Sequence, residues 1–260
     1  MRYHSPRLLR VVYLGVRAQF LTMSRARLLI VFNVLTPVVY AIIATYLYGA
    51  DRPDKLLQVS VGAGLMGVWT SVLFGSGGAI QNKRWAGLLE PLISTPAPFS
   101  VVLFSISLAT SIVGIYAMIA TVLWGAVFFG IPLAFPSPPL FLAATVVCVL
   151  AMGMMGMLLA STFVFMRNAN ALANTLDHPI WLLSGMLVPI STLPGWLHPL
   201  AWVLPSTWGA AAVHNTLNGG PVLWPMAAAL GLGAGYLLLS LLALRRVEYL
   251  ARRQATLALA

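Results

Sequence analysis

Long apolar runs, nearly free of charge, alternate with short polar breaks along this chain. Six runs stand out, over residues 28–48, 56–80, 102–129, 140–163, 168–189 and 222–244. Each is long enough to cross a hydrocarbon core of ~30 Å as an α-helix, which takes ~20 residues. Barrel strands would be shorter and would alternate apolar with polar positions. The pattern predicts an all-α integral membrane fold with six transmembrane helices.

The runs differ inside. Asn33, Thr36 and Pro37 interrupt the first and predict a kink there. Gly62, Gly64, Gly67, Gly75, Gly77 and Gly78 in the second allow helices to approach closely in lipid. Met152, Gly153, Met154, Met155, Gly156 and Met157 in the fourth predict adaptable packing, or else a soft drug-binding surface. Gly231 and Gly235 form a GxxxG pair in the sixth.

The breaks are as informative as the runs. In residues 1–27, Leu9, Val12, Val16 and Phe20 share one side of a helix, and Arg10 and Arg17 lie seven apart on another. This predicts an amphipathic helix lying in the membrane interface; a basic flank that only orients the first span is the simpler reading. Between the second and third runs, Lys83, Arg84 and Glu90 bracket an apolar face of Trp85, Leu88, Leu89 and Leu92. A short helix outside the lipid is expected, stopped by Pro91 and Pro96. It would dock in a groove on a soluble partner, or lie on the membrane surface as a plain connection. Residues 132–139 form a proline-rich turn. Residues 191–220 carry no Lys, Arg, Asp or Glu and include Pro194, Trp196, Pro199, Trp202, Pro205 and Trp208. Such a stretch is too apolar for an ordinary loop, and short re-entrant or interfacial helices are expected, starting after Pro189.

Charge then fixes the orientation. With six spans, one side of the membrane holds thirteen basic residues and the other only Arg52 and Lys55. The basic side is cytoplasmic, so both termini and the loop around residues 83–91 are expected inside. The chain divides into an interfacial helix at 1–27, a six-helix membrane domain at 28–244 and a basic cytoplasmic tail at 245–260, all one domain over 1–260. Of the 260 residues, 60% are hydrophobic and 8% charged, and the mean hydropathy is +0.92. No soluble globular domain has this balance. The net charge of +10 lies beside the spans, so it calls for membrane lipid rather than nucleic acid. Cys148 is the single cysteine, which excludes an internal disulfide and a CxxC metal site. The first residues lack an apolar core with a small-residue cleavage site, so no cleaved signal peptide is expected.

Candidate chemistry is sparse. The sequence has no G-x-x-x-x-G-K-[ST] phosphate loop, no H-E-x-x-H, no G-x-S-x-G and no paired-carboxylate motif. No catalytic residue and no metal site is expected. Asp177 is the one acid within a run, about 13 Å along the fifth helix at 1.5 Å per residue. A charge so deep costs about 2.5–3.5 kcal/mol on insertion scales, so it should face protein or water. Asn170, Asn174, Asp177, Trp181 and Ser184 recur at spacings of four, three, four and three and form one polar stripe. The stripe lines a transport path, or it glues this helix to a neighbour or a second subunit. His178 joins Asp177 or caps the break before Pro179. His198 and His214 read as interfacial hydrogen-bonding residues rather than ligands.

Two motifs carry a family resemblance. Arg84-Trp85-Ala86-Gly87-Leu88-Leu89-Glu90-Pro91-Leu92-Ile93-Ser94-Thr95-Pro96 resembles the R-x-x-G-x-L-E-x-L-x-x-T-P loop of type 2 ATP-binding-cassette permeases. Leu183-Ser184-Gly185-Met186-Leu187-Val188-Pro189-Ile190-Ser191-Thr192-Leu193-Pro194-Gly195-Trp196-Leu197 is similar to their L-S-G-x-x-x-P-x-x-x-L-P-x-W-L segment, and Leu204-Pro205-Ser206-Thr207 follows it. The resemblance implies that the first loop is a cytoplasmic coupling helix, with Lys83, Arg84, Gly87, Leu88, Leu89, Glu90 and Pro91 at the ATPase contact. It implies short re-entrant helices between spans five and six, with Pro189, Pro194, Trp196 and Pro205 shaping the outer face. It further implies a non-catalytic permease in a bacterial cytoplasmic membrane, paired with a second permease copy or paralogue and two ATPase subunits. ATP and Mg would sit on those partners, with no cofactor on this chain. The flavour is that of drug and antibiotic exporters of the daunorubicin type, moving a small amphipathic substrate. Permeases for lipid-linked glycans or lipo-oligosaccharides share much of the pattern. An intramembrane enzyme or a membrane scaffold are the readings from another class. Asp177-His178 departs from the family, which more often has apolar or weakly polar residues there.

Overall fold

The computed structural model describes residues 5–25, 53–78, 99–164 and 169–254, with single positions between them. Among these residues there is no strand. In lipid every backbone polar group must be paired within its own segment, and helices achieve this. The elements are α1 (Ser5–Arg25), α2 (Pro53–Leu73), α3 (Phe99–Phe129), α4 (Pro138–Phe163), α5 (Ala169–Leu183), α6 (His198–Val203), α7 (Pro205–Asn218) and α8 (Leu223–Gln254).

Four helices among the described residues are long and apolar enough to cross a membrane: Leu56–Ser76, Phe99–Phe128, Pro138–Phe163 and Leu223–Arg246. They correspond to the second, third, fourth and sixth expected spans. The first, over 28–48, lies outside the described residues except for Leu35, Val38, Val39, Ile42 and Tyr46, all helical. The fifth is shorter than expected. α5 has 15 residues, about 22 Å at 1.5 Å per residue. Pro179 inside it removes one backbone donor. Gly185, at φ 67°, then turns the chain out of the helix two residues past Leu183. The sixth is longer: α8 continues through Arg245 and Arg246 to Gln254, so the start of the expected tail is helical. Its sequence there is rich in Leu, Ala, Arg, Glu and Gln, good helix formers. Glu248 precedes Arg252 by four residues, the favourable order.

The bundle is built around α2 and α4. Trp69, Leu65, Leu73, Met152, Phe163 and Met186 are fully buried in its main core. α2 meets α3 where Gly114 faces the backbone of Val68; an added Cβ would stand 3.1 Å from its Cα. α4 begins with Pro138 and Pro139 in its first turn, where no backbone donor is needed. It touches α3 through a hydrogen bond from Ser107 Oγ to the Gly153 carbonyl (2.7 Å). On another side Ser240 Oγ of α8 donates to the Met157 carbonyl (3.1 Å). α7 also approaches closely, where Gly209 lies directly against Cys148. α2 is mostly enclosed by protein, whereas α8 is mostly exposed and forms the rim of the bundle.

α2 does not end as a plain α-helix. It widens into a π-helical turn over Phe74–Gly78. The sequence Phe-Gly-Ser-Gly-Gly is a poor helix former, and the Ser76 hydroxyl donates to the Val72 carbonyl, drawing it from the regular ladder.

Candidate functional site

The site is built where α5 lies against α2. Thr70 ends the buried run Val59–Trp69 of α2, and its hydroxyl Oγ1 donates to Asp177 Oδ1 at 3.3 Å. Asp177 is 9% exposed. The indole of Trp69 lies near the same carboxyl but outside hydrogen-bonding geometry, so its buried N–H has no partner among the described residues. The sequence expectation is that this acid faces protein or water; in the structure it lies against α2.

The rest of the expected stripe divides. Ser184 is buried and its Oγ lies 2.6 Å from Ser206 Oγ of α7. Trp181 is half-buried against the main core. Asn174 and His178 are exposed, and the His178 ring leans on Trp181 with centroids 6.0 Å apart. Asn170 is in α5, but its side chain is outside the described residues. The stripe is thus not one uniform face: Asp177, Trp181 and Ser184 turn inward, and Asn174 does not.

Beyond α5 the chain forms two 3-10 turns, Ile190–Thr192 and Gly195–Leu197, before α6 and α7. This is the succession of short helices expected there. Pro189 and Pro194 each precede a 3-10 turn and are exposed, as is Trp196. Pro205 is buried in the first turn of α7. The two lone histidines serve the backbone. His198 Nε2 lies 3.2 Å from the carbonyls of Ile190 and Leu193. His214 Nε2 donates to the Met186 carbonyl at 2.9 Å, while its buried Nδ1 has no partner among the described residues. Burial pushes the His214 imidazole below its ordinary value, and the bond to Met186 opposes this.

Of the expected ATPase contact, Lys83, Arg84, Leu88, Leu89, Glu90 and Pro91 lie outside the described residues. Gly87 is described: it sits in an exposed turn at φ 67°. Glycine adopts this left-handed conformation without strain.

Residues 10–217 match the sequence model of the ABC-2 type transporter family. This is well over half of the 260-residue chain. The chain belongs to the ABC-2 type transporter family. It is therefore an integral membrane protein and a permease subunit of an ATP-binding-cassette transporter, a family whose members generally work with an ATPase partner. No curated protein matches it.

In this ABC-2 permease, sequence reasoning found Asp177 and Ser184 but not the residues that hold them. Thr70 and Ser206 lie 107 and 22 residues away. A hydroxyl in an otherwise apolar run was the available signal for Thr70. It did not stand out, because serines and threonines in spans commonly bond their own helix, as Thr121 does to the Ala117 carbonyl (2.8 Å).

Proposed function

We propose that this permease exports a small amphipathic substrate across a bacterial cytoplasmic membrane, using ATP hydrolysed by two copies of a separate subunit. It works as a dimer with a second copy or a paralogue, and both termini are cytoplasmic. The loop with Lys83, Arg84, Gly87, Leu88, Leu89, Glu90 and Pro91 takes up the movement of the ATPases. The bistable element is the permease dimer, biased by the higher affinity of ATP for the closed ATPase pair. Substrate passes α5, with Asp177 as the polar group that an otherwise apolar path offers.

The observation that carries this reading is the placement of Asp177: a nearly buried acid on a short helix, held by one hydroxyl and flanked by exposed Asn174 and His178. The test is ATP hydrolysis and flux in vesicles holding the permease with its ATPase. Glu90→Ala and Gly87→Phe should leave basal hydrolysis intact and abolish its stimulation by substrate. Unchanged stimulation in both would remove the loop from the coupling role.

A further inference from the structure

α1 carries an exposed surface that the transport reading does not use. Val12, Gly15, Val16 and Gln19 turn toward the bundle, and Gln19 is 7% exposed. Leu9, Tyr13 and Phe20 stand out from it, with Leu9 72% exposed. At about 100° per residue these three lie within roughly 40° of one another, so they form one apolar ridge. Arg10 and Arg17 are exposed on a line beside that ridge, two turns or about 10 Å apart. Residues 1–27 hold six arginines and no acid to pair them.

The depth of this surface follows from the packing of α1 on α3. α3 has 31 residues, about 46 Å, against a hydrocarbon core of ~30 Å. Shared evenly, the surplus leaves about 8 Å at each end. Gly15 of α1 lies against Ser105, whose Cβ would be 2.7 Å from a Cβ added at Gly15. Ser105 is six residues past Phe99, about 9 Å along the helix. The middle of α1 therefore meets α3 at the boundary between headgroups and hydrocarbon, at the end of the bundle where α3 begins.

We infer that the exposed face of α1 is a binding surface for anionic phospholipid: Leu9, Tyr13 and Phe20 enter the acyl region while Arg10 and Arg17 hold headgroup phosphates. A ridge of large apolar side chains at that depth meets lipid, and a guanidinium pairs with a phosphate through two parallel hydrogen bonds. The segment itself carries no acid to offset its positive charge at the membrane surface. A soluble protein would reach the arginines but would have to displace lipid from the ridge.

The test uses the full chain in vesicles. Cys148 is fully buried, so a fluorophore on Tyr13→Cys is selective. Its quenching by brominated phosphatidylglycerol is compared with quenching by brominated phosphatidylcholine at equal mole fraction. Phosphatidylglycerol should be enriched about fivefold or more at low salt, roughly the effect of one arginine near an anionic surface. Enrichment should fall toward one in Arg10→Gln/Arg17→Gln and in 0.5 M salt, and persist in Arg10→Lys/Arg17→Lys. Equal quenching by the two lipids, or enrichment that survives loss of both arginines, overturns the inference. So does a label that is shielded only when the ATPase is added, whatever the lipid, since that assigns the face to a protein.

Discussion

Thr70 of α2 donates its hydroxyl to Asp177 of α5 across a sequence separation of 107 residues, at 3.3 Å. The bond ties the single acid of the expected spans to the most enclosed helix of the bundle. Removing one partner leaves the other short of a bond in an apolar setting, at a cost of about 1–3 kcal/mol. Thr70→Val should therefore lower the unfolding temperature in detergent more than its small change in shape suggests. Asp177→Asn keeps an acceptor for Thr70 and removes the charge, so stability should change little. If Asp177 serves transport, flux in Asp177→Asn should drop at least tenfold at normal protein level. Normal flux would leave Asp177 as an anchor for α5 only.

Two kinds of glycine should respond oppositely to alanine. At Gly209 an added Cβ would lie 2.7 Å from Cys148 Sγ and 3.0 Å from its Cα. Backbone cannot give way as a side-chain tip does, so Gly209→Ala should destabilise by about 1–3 kcal/mol. Among the described residues, Gly231 and Gly235 have nothing within 4 Å of an added Cβ. Alanine there should be neutral or should strengthen α8, by up to about 1 kcal/mol per residue. Thermal unfolding of the three variants in one detergent checks both. A marked loss at Gly231 or Gly235 would show that a neighbour outside the described residues packs on α8.

His214 makes stability depend on pH. Its Nε2 is bonded to Met186 and its Nδ1 is buried without a partner among the described residues, so a second proton is disfavoured there. The folded pKa lies below the unfolded one because of burial. Above the ordinary imidazole range both states are neutral, and stability is flat. As pH falls below that range the unfolded chain takes up the proton first, and stability drops until pH passes the folded value. Unfolding temperatures between pH 8 and pH 5 should decline on the acid side. His214→Gln, which keeps an amide donor for the Met186 carbonyl, should flatten the decline. An equal slope in that variant would place the titration elsewhere.

Hydropathy and proline placement made much of this fold legible. Run length located α2, α3, α4 and α8, because span length is set by the bilayer rather than by partners. The prolines after residue 188 marked the succession of short helices up to α7. What the runs did not reveal were ends and pairings. α5 stops at Leu183 because Pro179 and the turn at Gly185 outweigh an apolar sequence that continues to Pro189. The stripe on α5 was visible from its spacing, but its division into inward Asp177 and exposed Asn174 depends on where α2 passes. The GxxxG pair in α8 reads as a packing face, yet its neighbour is not found among the described residues. Pairings of this kind arise from tertiary packing, which no local period records.

The bond between Ser184 and Ser206 offers a direct test of movement near α5. Their hydroxyl oxygens are 2.6 Å apart, joining the corner after Leu183 to the start of α7. Both side chains are buried, and the single native cysteine, Cys148, is buried too. Ser184→Cys/Ser206→Cys should therefore form a disulfide under mild oxidation with little background, provided the Cβ atoms settle about 3.5–4.5 Å apart. If the α5 corner separates from α7 during each cycle, the oxidised variant should lose most of its flux, and reduction should restore it. Ser184→Ala, which removes the bond without a lock, should transport at a rate near that of the unmodified chain and be less stable by about 1 kcal/mol. Full flux in the oxidised, verified disulfide would mean that α5 and α7 travel together. The opening would then lie on another face of the bundle.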